Sequence, residues 1–304
     1  MMKTFLFRHK KNDKKYFIHE ITEEGKNLKL ICSGKFKLFF DVMFSFVMYK
    51  KTFIFGHDKN TRWHIYEMNE NGTLYREVSS GYLDDFYPNL FSYQIDDNVY
   101  IFGQSKKKKW FIREMSYDHV PSLDNKDKSS GKWNAFYPSM FSYSINDNTY
   151  LFAQTDEYGD GGYYWFVQQL FPNGRLDTTV IDGNYKNWHT FYPILFSFVL
   201  KGKVYIFCHT NEYAHGGYYW FIQEILVDGK LGPIVDGNGK NWRNFWKVLP
   251  YTINDKMFIY GQNRDNNRIF FQEIIQNGTL ANEEKYLDDS YYYDVQLSFS
   301  TNNF

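Results

Sequence analysis

The chain has 304 residues, and its 35 Lys and Arg residues balance 35 Asp and Glu residues, which gives a formal net charge of zero. This balance argues against a nucleic-acid partner bound through a basic surface. Phe, Tyr and Trp make up 21% of the chain, whereas alanine occurs at only four positions. Because alanine is the best helix former and aromatic residues are enriched in strands, the composition predicts an all-β protein.

The sequence contains no candidate membrane span or secretion signal. No apolar run approaches the roughly 18 residues that a membrane-spanning helix requires. The apolar run at the N-terminus covers only Thr4–Phe7, which is too short for the core of a signal peptide. Cys32 and Cys208 are the two cysteines, too few for a disulfide framework. We therefore expect no membrane span and a cytoplasmic location.

An aromatic motif recurs along the chain. It reads FYPNLFSY at 86–93, FYPSMFSY at 136–143 and FYPILFSF at 191–198, with weaker copies at 39–46, 248–251 and 292–299. Each copy carries one aromatic residue at an equivalent place: Phe46, Tyr93, Tyr143, Phe198, Tyr251 and Phe299. These residues are 47 to 55 positions apart. The chain is therefore built from six repeats.

Each full repeat contains four short runs that predict antiparallel strands, here called a, b, c and d. Strand a carries the motif, strand b is an apolar run, and strand c is aromatic and ends in Glu and an aliphatic residue. A turn such as Asn71-Gly72 or Asp228-Gly229 then leads to strand d. Asn-Gly and Asp-Gly between apolar runs are strong hairpin signals. Four strands in roughly 40–50 residues are typical of a β-propeller blade.

The two chain ends predict how the propeller closes. The C-terminal copy stops after strand a, whereas Lys3–His9 matches the strand b at Lys51–His57. The distance from Phe299 through both ends to Phe46 is 51 positions, which fits the repeat. We predict a six-bladed propeller in one domain, 1–304, whose last blade takes strand a from the C-terminus and three strands from the N-terminus. The predicted blades are 39–85, 86–135, 136–190, 191–244, 245–290, and 291–304 with 1–38.

Three polar columns repeat at equivalent places in the blades. Strand a carries Ser45, Ser92, Ser142, Ser197 and Ser298; strand b ends in His9, His57, Gln104, Gln154, His209 and Gln262; strand c carries Glu20, Glu67, Glu114, Gln169, Glu224 and Glu273. Because an active site is a single asymmetric arrangement, we interpret the Glu column as loop bracing rather than ligand binding. For the His/Gln column both roles stay open. We predict no metal site, no cofactor and no catalytic residue.

Two neighbouring blades depart from the repeat. They carry longer b–c loops, 155–165 and 210–220, which share Glu, Tyr, Gly-Gly and Tyr-Tyr-Trp. The b–c and d–a loops of a propeller emerge on the same face, so these loops and the Trp before the next strand a would share one rim. Carboxylates and aromatic faces suit a sugar. The predicted ligand-binding residues are Asp156, Glu157, Tyr158, Trp188, Glu212, Tyr213, His215 and Trp242. The alternative is a recent duplication without a binding role.

The repeats resemble those of the lectin-type six-bladed β-propellers. These include the fucose-specific lectins of fungi and bacteria and the tectonin and tachylectin-like repeats. The run Ile112–Met115 resembles the strand c whose Glu contacts fucose in that family. The family also uses an Arg on strand b, where this chain has Phe5, Phe53, Tyr100, Tyr150, Tyr205 and Phe258. The resemblance therefore implies general carbohydrate binding and not the fucose contacts.

These observations favour a non-enzymatic, lectin-like propeller that binds a glycan on the rim of the third and fourth blades. The alternative is an intracellular propeller that serves as a protein-interaction or structural scaffold, with another protein as its partner. A third hypothesis is a propeller glycoside hydrolase, for which Asp156, Glu157 and Asp160 are the candidate carboxylates.

Overall fold

The computed structural model describes residues 2–22, 24–183, 187–214, 217–237, 241–289 and 291–302. Within these residues, every regular element is a β-strand. The strands form six separate antiparallel sheets, which are the blades of a six-bladed β-propeller. The predicted fold class is confirmed, whereas the single-domain division and the exact blade boundaries stay predictions.

The first half of the chain supplies twelve strands, numbered in chain order. The N-terminal segment contains β1 (Met2–His9), β2 (Lys15–Ile21) and β3 (Leu28–Lys35). The first blade contains β4 (Val42–Met48), β5 (Lys51–His57), β6 (Arg62–Met68) and β7 (Leu74–Tyr82). The second contains β8 (Asn89–Ile95), β9 (Asn98–Gln104), β10 (Lys109–Asp118), β11 (Val120–Leu123) and β12 (Ser129–Lys132).

The second half supplies the remaining strands. The third blade contains β13 (Ser139–Ile145), β14 (Asn148–Gly159), β15 (Gly162–Leu170), β16 (Leu176–Asp182) and β17 (Asn187–Trp188). The fourth contains β18 (Ile194–Leu200), β19 (Lys203–Ala214), β20 (Gly217–Ile225), β21 (Leu231–Asp236) and β22 (Asn241–Trp242). The fifth contains β23 (Phe245–Ile253), β24 (Lys256–Asn263), β25 (Ile269–Ile274) and β26 (Leu280–Leu287), and β27 (Val295–Asn302) ends the described chain.

Each blade follows the predicted order of strands a, b, c and d. In the second, third and fourth blades, strand d is divided into two pieces that pair with different parts of strand c. The sixth blade has the order β27-β1-β2-β3 and so combines both ends of the chain. Within it, Phe299 lies opposite Phe5, with ring centroids 5.2 Å apart. The predicted closure of the ring is confirmed.

The serine column connects neighbouring blades around the central channel. Its hydroxyls donate to inner-strand carbonyls of the adjacent blade: Ser92 to Ser45 at 3.4 Å, Ser45 to Ser298 at 3.3 Å, Ser298 to Pro250 at 2.8 Å and Ser197 to Ser142 at 3.1 Å. A small side chain fits the narrow space, and its hydroxyl satisfies a carbonyl that sheet pairing leaves free. The repeat therefore specifies contacts between blades as well as within them.

The aromatic residues of strand a form the cores of the blades. Each stacks on the aromatic residue directly opposite on strand b, at centroid distances of 5.2 to 5.5 Å. The pairs are Phe46–Phe53, Tyr93–Tyr100, Tyr143–Tyr150, Phe198–Tyr205, Tyr251–Phe258 and Phe299–Phe5. All twelve rings are buried. Cross-strand aromatic pairs of this kind stabilise a sheet beyond their buried area.

Glycine is required at the c–d turns for two reasons. Gly72 and Gly278 have φ values of 82° and 83°, which side chains other than glycine adopt at a cost. A Cβ atom at Gly72 would lie 2.2 Å from the ring of Phe5, and one at Gly278 would lie 2.7 Å from the ring of Tyr205. Each turn therefore packs directly on an aromatic ring of the preceding blade.

Candidate ligand-binding site

Two long hairpins rise above the rim of the third and fourth blades. In each, the pairing of strands b and c shifts at an irregularity and then resumes, with Tyr158 opposite Tyr163 and Tyr213 opposite Tyr218. At the tip of the first hairpin, Asp160 and Gly161 both have positive φ, 48° and 86°. Two central residues of this kind are typical of the type I′ turn, whose twist matches that of the strands.

The hairpins expose the predicted acidic and aromatic side chains. Asp156, Glu157 and Glu212 are exposed, and Tyr158 and Tyr213 have 67% and 68% of their surface exposed. Each tyrosine packs edge-on against the tyrosine opposite it, with centroids 5.5 Å apart. A tyrosine held in this way loses little side-chain entropy when a ligand stacks on it.

Each hairpin Glu reaches back to the preceding blade. Glu157 lies 3.8 Å from the ammonium of Lys108, and the Tyr163 hydroxyl donates to Glu212 at 3.4 Å. Burial, followed by the charge of Glu212, raises the pKa of Tyr163, so this phenol stays a donor. The carboxylates therefore lie above the junctions between blades, at the second–third and the third–fourth junctions respectively.

A cleft of about 620 Å³ opens at the junction of the second and third blades. Its wall contains Trp133, Tyr137, Tyr164 and Phe166. The rings of Tyr137 and Trp133 both meet Phe166 edge-on, at 4.9 Å and 5.3 Å. Burial raises the pKa of Tyr137, which therefore remains neutral. This wall offers a rigid aromatic surface to a ligand.

The polar groups of the cleft come from both blades. Asn134 belongs to the loop after the second blade, whereas Thr155, Glu157 and Asp160 belong to the first long hairpin. Gln168 lies on strand c at the side of the cleft and is only 8% exposed. Among the described residues, its Oε1 atom has no hydrogen-bond partner. Because buried polar atoms are normally paired, this oxygen is suited to accept a hydrogen bond from a ligand.

Other predicted site residues lie in different surroundings. Trp188 packs in the core between the third and fourth blades, with the Trp165 and Phe221 rings 5.3 Å and 5.5 Å away. Trp242 packs in the same way in the next blade, 4.8 Å from Phe245. His215 lies outside the described residues. The structure thus places Glu157 and Tyr158 in one cleft and packs both tryptophans between neighbouring blades.

Several cleft residues were not among the predicted ligand-binding residues. The sequence indicates Asp160 only as a candidate hydrolase carboxylate, and Trp133 lies outside the two blades with long loops. Tyr164 belongs to the Tyr-Tyr-Trp run that the two long loops share, whereas Gln168 and Asn134 carried no signal of their own, because each occupies an ordinary position of the repeat. The cleft forms where the first enlarged hairpin meets a blade of ordinary size, and that boundary is the signal that was available in the sequence.

Five of the six side chains in the His/Gln column fasten the d–a loops, whereas no hydrogen bond joins His9 to such a loop among the described residues. The Gln104 amide donates to the Ala135 carbonyl at 3.0 Å and accepts from the Tyr137 amide at 2.9 Å. Gln154 makes the same two bonds to the following loop. The His209 Nε2 atom lies 2.9 Å from the Arg243 carbonyl. All six side chains of the column have no exposed surface, which favours loop fastening over ligand binding.

The Glu column forms ion pairs within the blades. Glu20, Glu67, Glu224 and Glu273 each pair with the lysine that begins strand b, at 2.6 to 3.4 Å. Glu114, whose blade lacks that lysine, pairs instead with Lys128 at 2.6 Å. In the third blade, Gln169 replaces the Glu and Asn148 replaces the Lys, and the Gln169 amide donates to Asn148 at 2.9 Å. This joint change supports a bracing role.

The described residues contain no cluster of three or more His, Cys, Asp or Glu side chains arranged to hold a metal ion. They also contain no helix that is long and apolar enough to cross a membrane. The lining of the cleft presents carboxylates, amides, a hydroxyl and aromatic rings.

Known proteins share the fold of this chain. No family model and no curated protein sequence matches it. It is similar to the structure of a "putative 6-phosphogluconolactonase" from Bacteroides fragilis, with a TM-score of 0.55 and 13% identity over 99% of this chain and 98% of that chain. It is also similar to a functionally unknown protein from Desulfotomaculum acetoxidans, with a TM-score of 0.54 and 11% identity over 91% of this chain and 78% of that chain. At these identities, the similarity establishes a common fold and leaves activity open.

Proposed function

We propose that the chain is a carbohydrate-binding protein and that the cleft between the second and third blades is its binding site. The observation that carries the proposal is the unpaired Oε1 of Gln168 beside the aromatic wall. A sugar ring has an apolar face that stacks on aromatic side chains and hydroxyls that donate to oxygen acceptors. Glu157 and Asp160 add two carboxylates to the same cleft.

The chemistry of the cleft distinguishes this ligand class from others. An apolar ligand would leave the Gln168 oxygen desolvated without a hydrogen-bond donor, at a cost of about 1–3 kcal/mol, and would displace water from the Glu157 and Asp160 carboxylates. A strongly anionic ligand would be repelled by the negative charges of Glu157 and Asp160. A neutral polyol ring avoids both penalties, which is why the cleft favours a glycan.

Replacing Tyr158 with Ala is expected to weaken glycan binding roughly tenfold, which corresponds to about 1.4 kcal/mol. The side chain is 67% exposed, so the melting temperature should be unchanged. A glycan array identifies the ligand, and isothermal titration calorimetry measures its Kd. The matched control is Tyr213→Ala, which makes the same change at the equivalent place of the next hairpin and should alter the Kd by less than about twofold.

Three results would overturn the assignment. Loss of binding with Tyr213→Ala but not with Tyr158→Ala would move the site to the junction of the third and fourth blades. Equal losses would show that both hairpins bind. An array without any signal would contradict carbohydrate binding, and a stoichiometric protein partner recovered from the source cells would then favour a cytoplasmic interaction scaffold.

A hydrolase is the second candidate, because Glu157 and Asp160 line the same cleft. Two carboxylates beside a sugar could act as acid and base in glycoside or sugar-ester hydrolysis. The similar structure from Bacteroides fragilis has a name that refers to a sugar-phosphate lactone. Turnover of glycosides or sugar lactones that disappears in Glu157→Gln would support this function, and equal turnover by the variant would exclude the role of Glu157.

A further inference from the structure

The fifth blade departs from the repeat at the start of its inner strand. Lys247 stands where the other full copies have Asn89, Ser139 and Ile194. The pairing of β23 with β24 shifts between Phe245 and Lys247, which is a β-bulge. Bulges of this kind redirect a side chain relative to the regular pleat. The departure therefore places an ammonium group at the start of an inner strand.

Lys247 lies at the mouth of the central channel. A cavity of about 580 Å³ there is lined by inner-strand residues of four blades, including Phe44, Phe91, Phe196 and Leu249. Lys247 is exposed to solvent within this space, yet the surrounding protein lowers its pKa by desolvation. The cavity is thus an apolar chamber with a cation at its edge.

Arg264 supplies a second cation to the same cavity. Its guanidinium lies 4.1 Å above the ring of Trp246, which itself packs 4.8 Å from Tyr292. Stacking on an aromatic ring orients a guanidinium while leaving its N–H groups free to bind an anion. Arg264 is therefore positioned without the use of a carboxylate.

The two cations are not neutralised by the protein. Among the described residues, neither Lys247 nor Arg264 has an ion-pair partner, and no carboxylate lines their cavity. Asp41 and Asp294 line a neighbouring cavity that Lys247 also reaches. Asp41 lies 3.5 Å from the Lys59 ammonium, and Asp294 accepts a hydrogen bond from the Lys11 amide at 2.7 Å. Asp41 is thus paired with another cation, and neither carboxylate forms an ion pair with Lys247 among the described residues.

We propose that the channel mouth is a second ligand site, which binds an organic carboxylate carried on an apolar body. The carboxylate would lie between Lys247 and Arg264, and the apolar body would pack against Phe91, Phe196 and Leu249. Two cations in a partly desolvated chamber attract an anion more strongly than surface cations do. The phenylalanine walls favour a ligand with an apolar part over a strongly hydrated ion such as inorganic phosphate, because they cannot replace the water of that ion.

Calorimetry with octanoate tests this site on the full chain. We expect saturable binding that weakens roughly tenfold or more in Lys247→Met and is largely retained in Lys247→Arg. The control is Lys256→Met, which removes a lysine of the same blade that pairs with Glu273 and should leave octanoate binding unchanged. Octan-1-ol tests the need for the charge, and inorganic phosphate tests the need for the apolar body.

The outcomes separate this site from the glycan cleft. Absence of octanoate binding, equal binding of octanol or phosphate, or an unchanged Kd in Lys247→Met would each overturn the proposal. Thermal unfolding of each variant shows whether a loss of binding reflects a loss of folding. Tyr158→Ala should leave octanoate binding intact, so failure of the carbohydrate proposal would not affect this result.

Discussion

Replacing Arg8 with Met is expected to lower the free energy of unfolding by about 3–5 kcal/mol, because it leaves Asp289 buried without its partner. The Arg8 side chain is 4% exposed and that of Asp289 is 11% exposed. The Arg8 guanidinium donates to the Asp289 carboxylate and lies 4.1 Å above the ring of Tyr293. A carboxylate removed from water to this extent destabilises the folded state unless a counter-ion lies beside it.

The position of this ion pair explains its importance. Arg8 belongs to strand b of the sixth blade, whereas Asp289 and Tyr293 belong to the segment that leads to the last strand. The pair therefore ties the N-terminal and C-terminal parts of the chain together at the one blade that they share. At the equivalent place of strand b the other blades have only small residues: Gly56, Gly103, Ala153, Cys208 and Gly261.

Urea unfolding of the Arg8→Met variant measures the effect, and a double-mutant cycle with Asp289→Asn isolates the coupling. The matched control is Lys203→Met. Its ion pair with Glu224 spans 2.9 Å, but the lysine is 60% exposed, so the loss should stay below about 1 kcal/mol. If both variants lost the same small amount, the pair at the seam would have no special role in closing the ring.

The repeat predicted the fold because the same strand and turn motifs recur in each blade. The recurring FYP and FS motifs locate strand a, and the Asn-Gly turns locate the c–d hairpins. The match between Lys3–His9 and Lys51–His57 predicted the shared sixth blade. Strand pairing and hairpins join positions that are equivalent in every blade. They can therefore be inferred from the spacing of motifs in a single sequence.

The binding surfaces could not be predicted as completely, because they join positions that are not equivalent. Gln168 and Asn134, which follows the preceding blade, line the same cleft, and the repeat does not relate these two positions to each other. Trp188 and Trp242 were predicted on the rim, yet they pack between the blades, since an aromatic residue before strand a fills the junction. Arg8 and Asp289 lie 281 positions apart and follow no period.

Acid should destabilise the protein through its buried histidines. Burial lowers the pKa of His9 and of His209 to about 4, compared with about 6.5 in an unfolded chain. Above pH 6.5 both states are neutral and the histidines contribute no pH dependence. As the pH falls from 6.5 towards 4, the unfolded state binds protons that the folded state excludes. Each pKa unit costs about 1.4 kcal/mol, so each histidine removes up to roughly 3 kcal/mol.

His209→Gln is therefore expected to change stability by less than about 1 kcal/mol at pH 7.5 and to raise it by about 2–3 kcal/mol at pH 4.5, relative to the unmodified chain. Glutamine suits this position, because Gln104 and Gln154 fasten the same loop in their own blades. The control is His119→Gln, since the His119 side chain is 98% exposed. Urea unfolding of the three proteins across this pH range tests the prediction. An acid transition that His209→Gln leaves unmoved would show that this buried imidazole does not limit stability and that other groups drive acid unfolding.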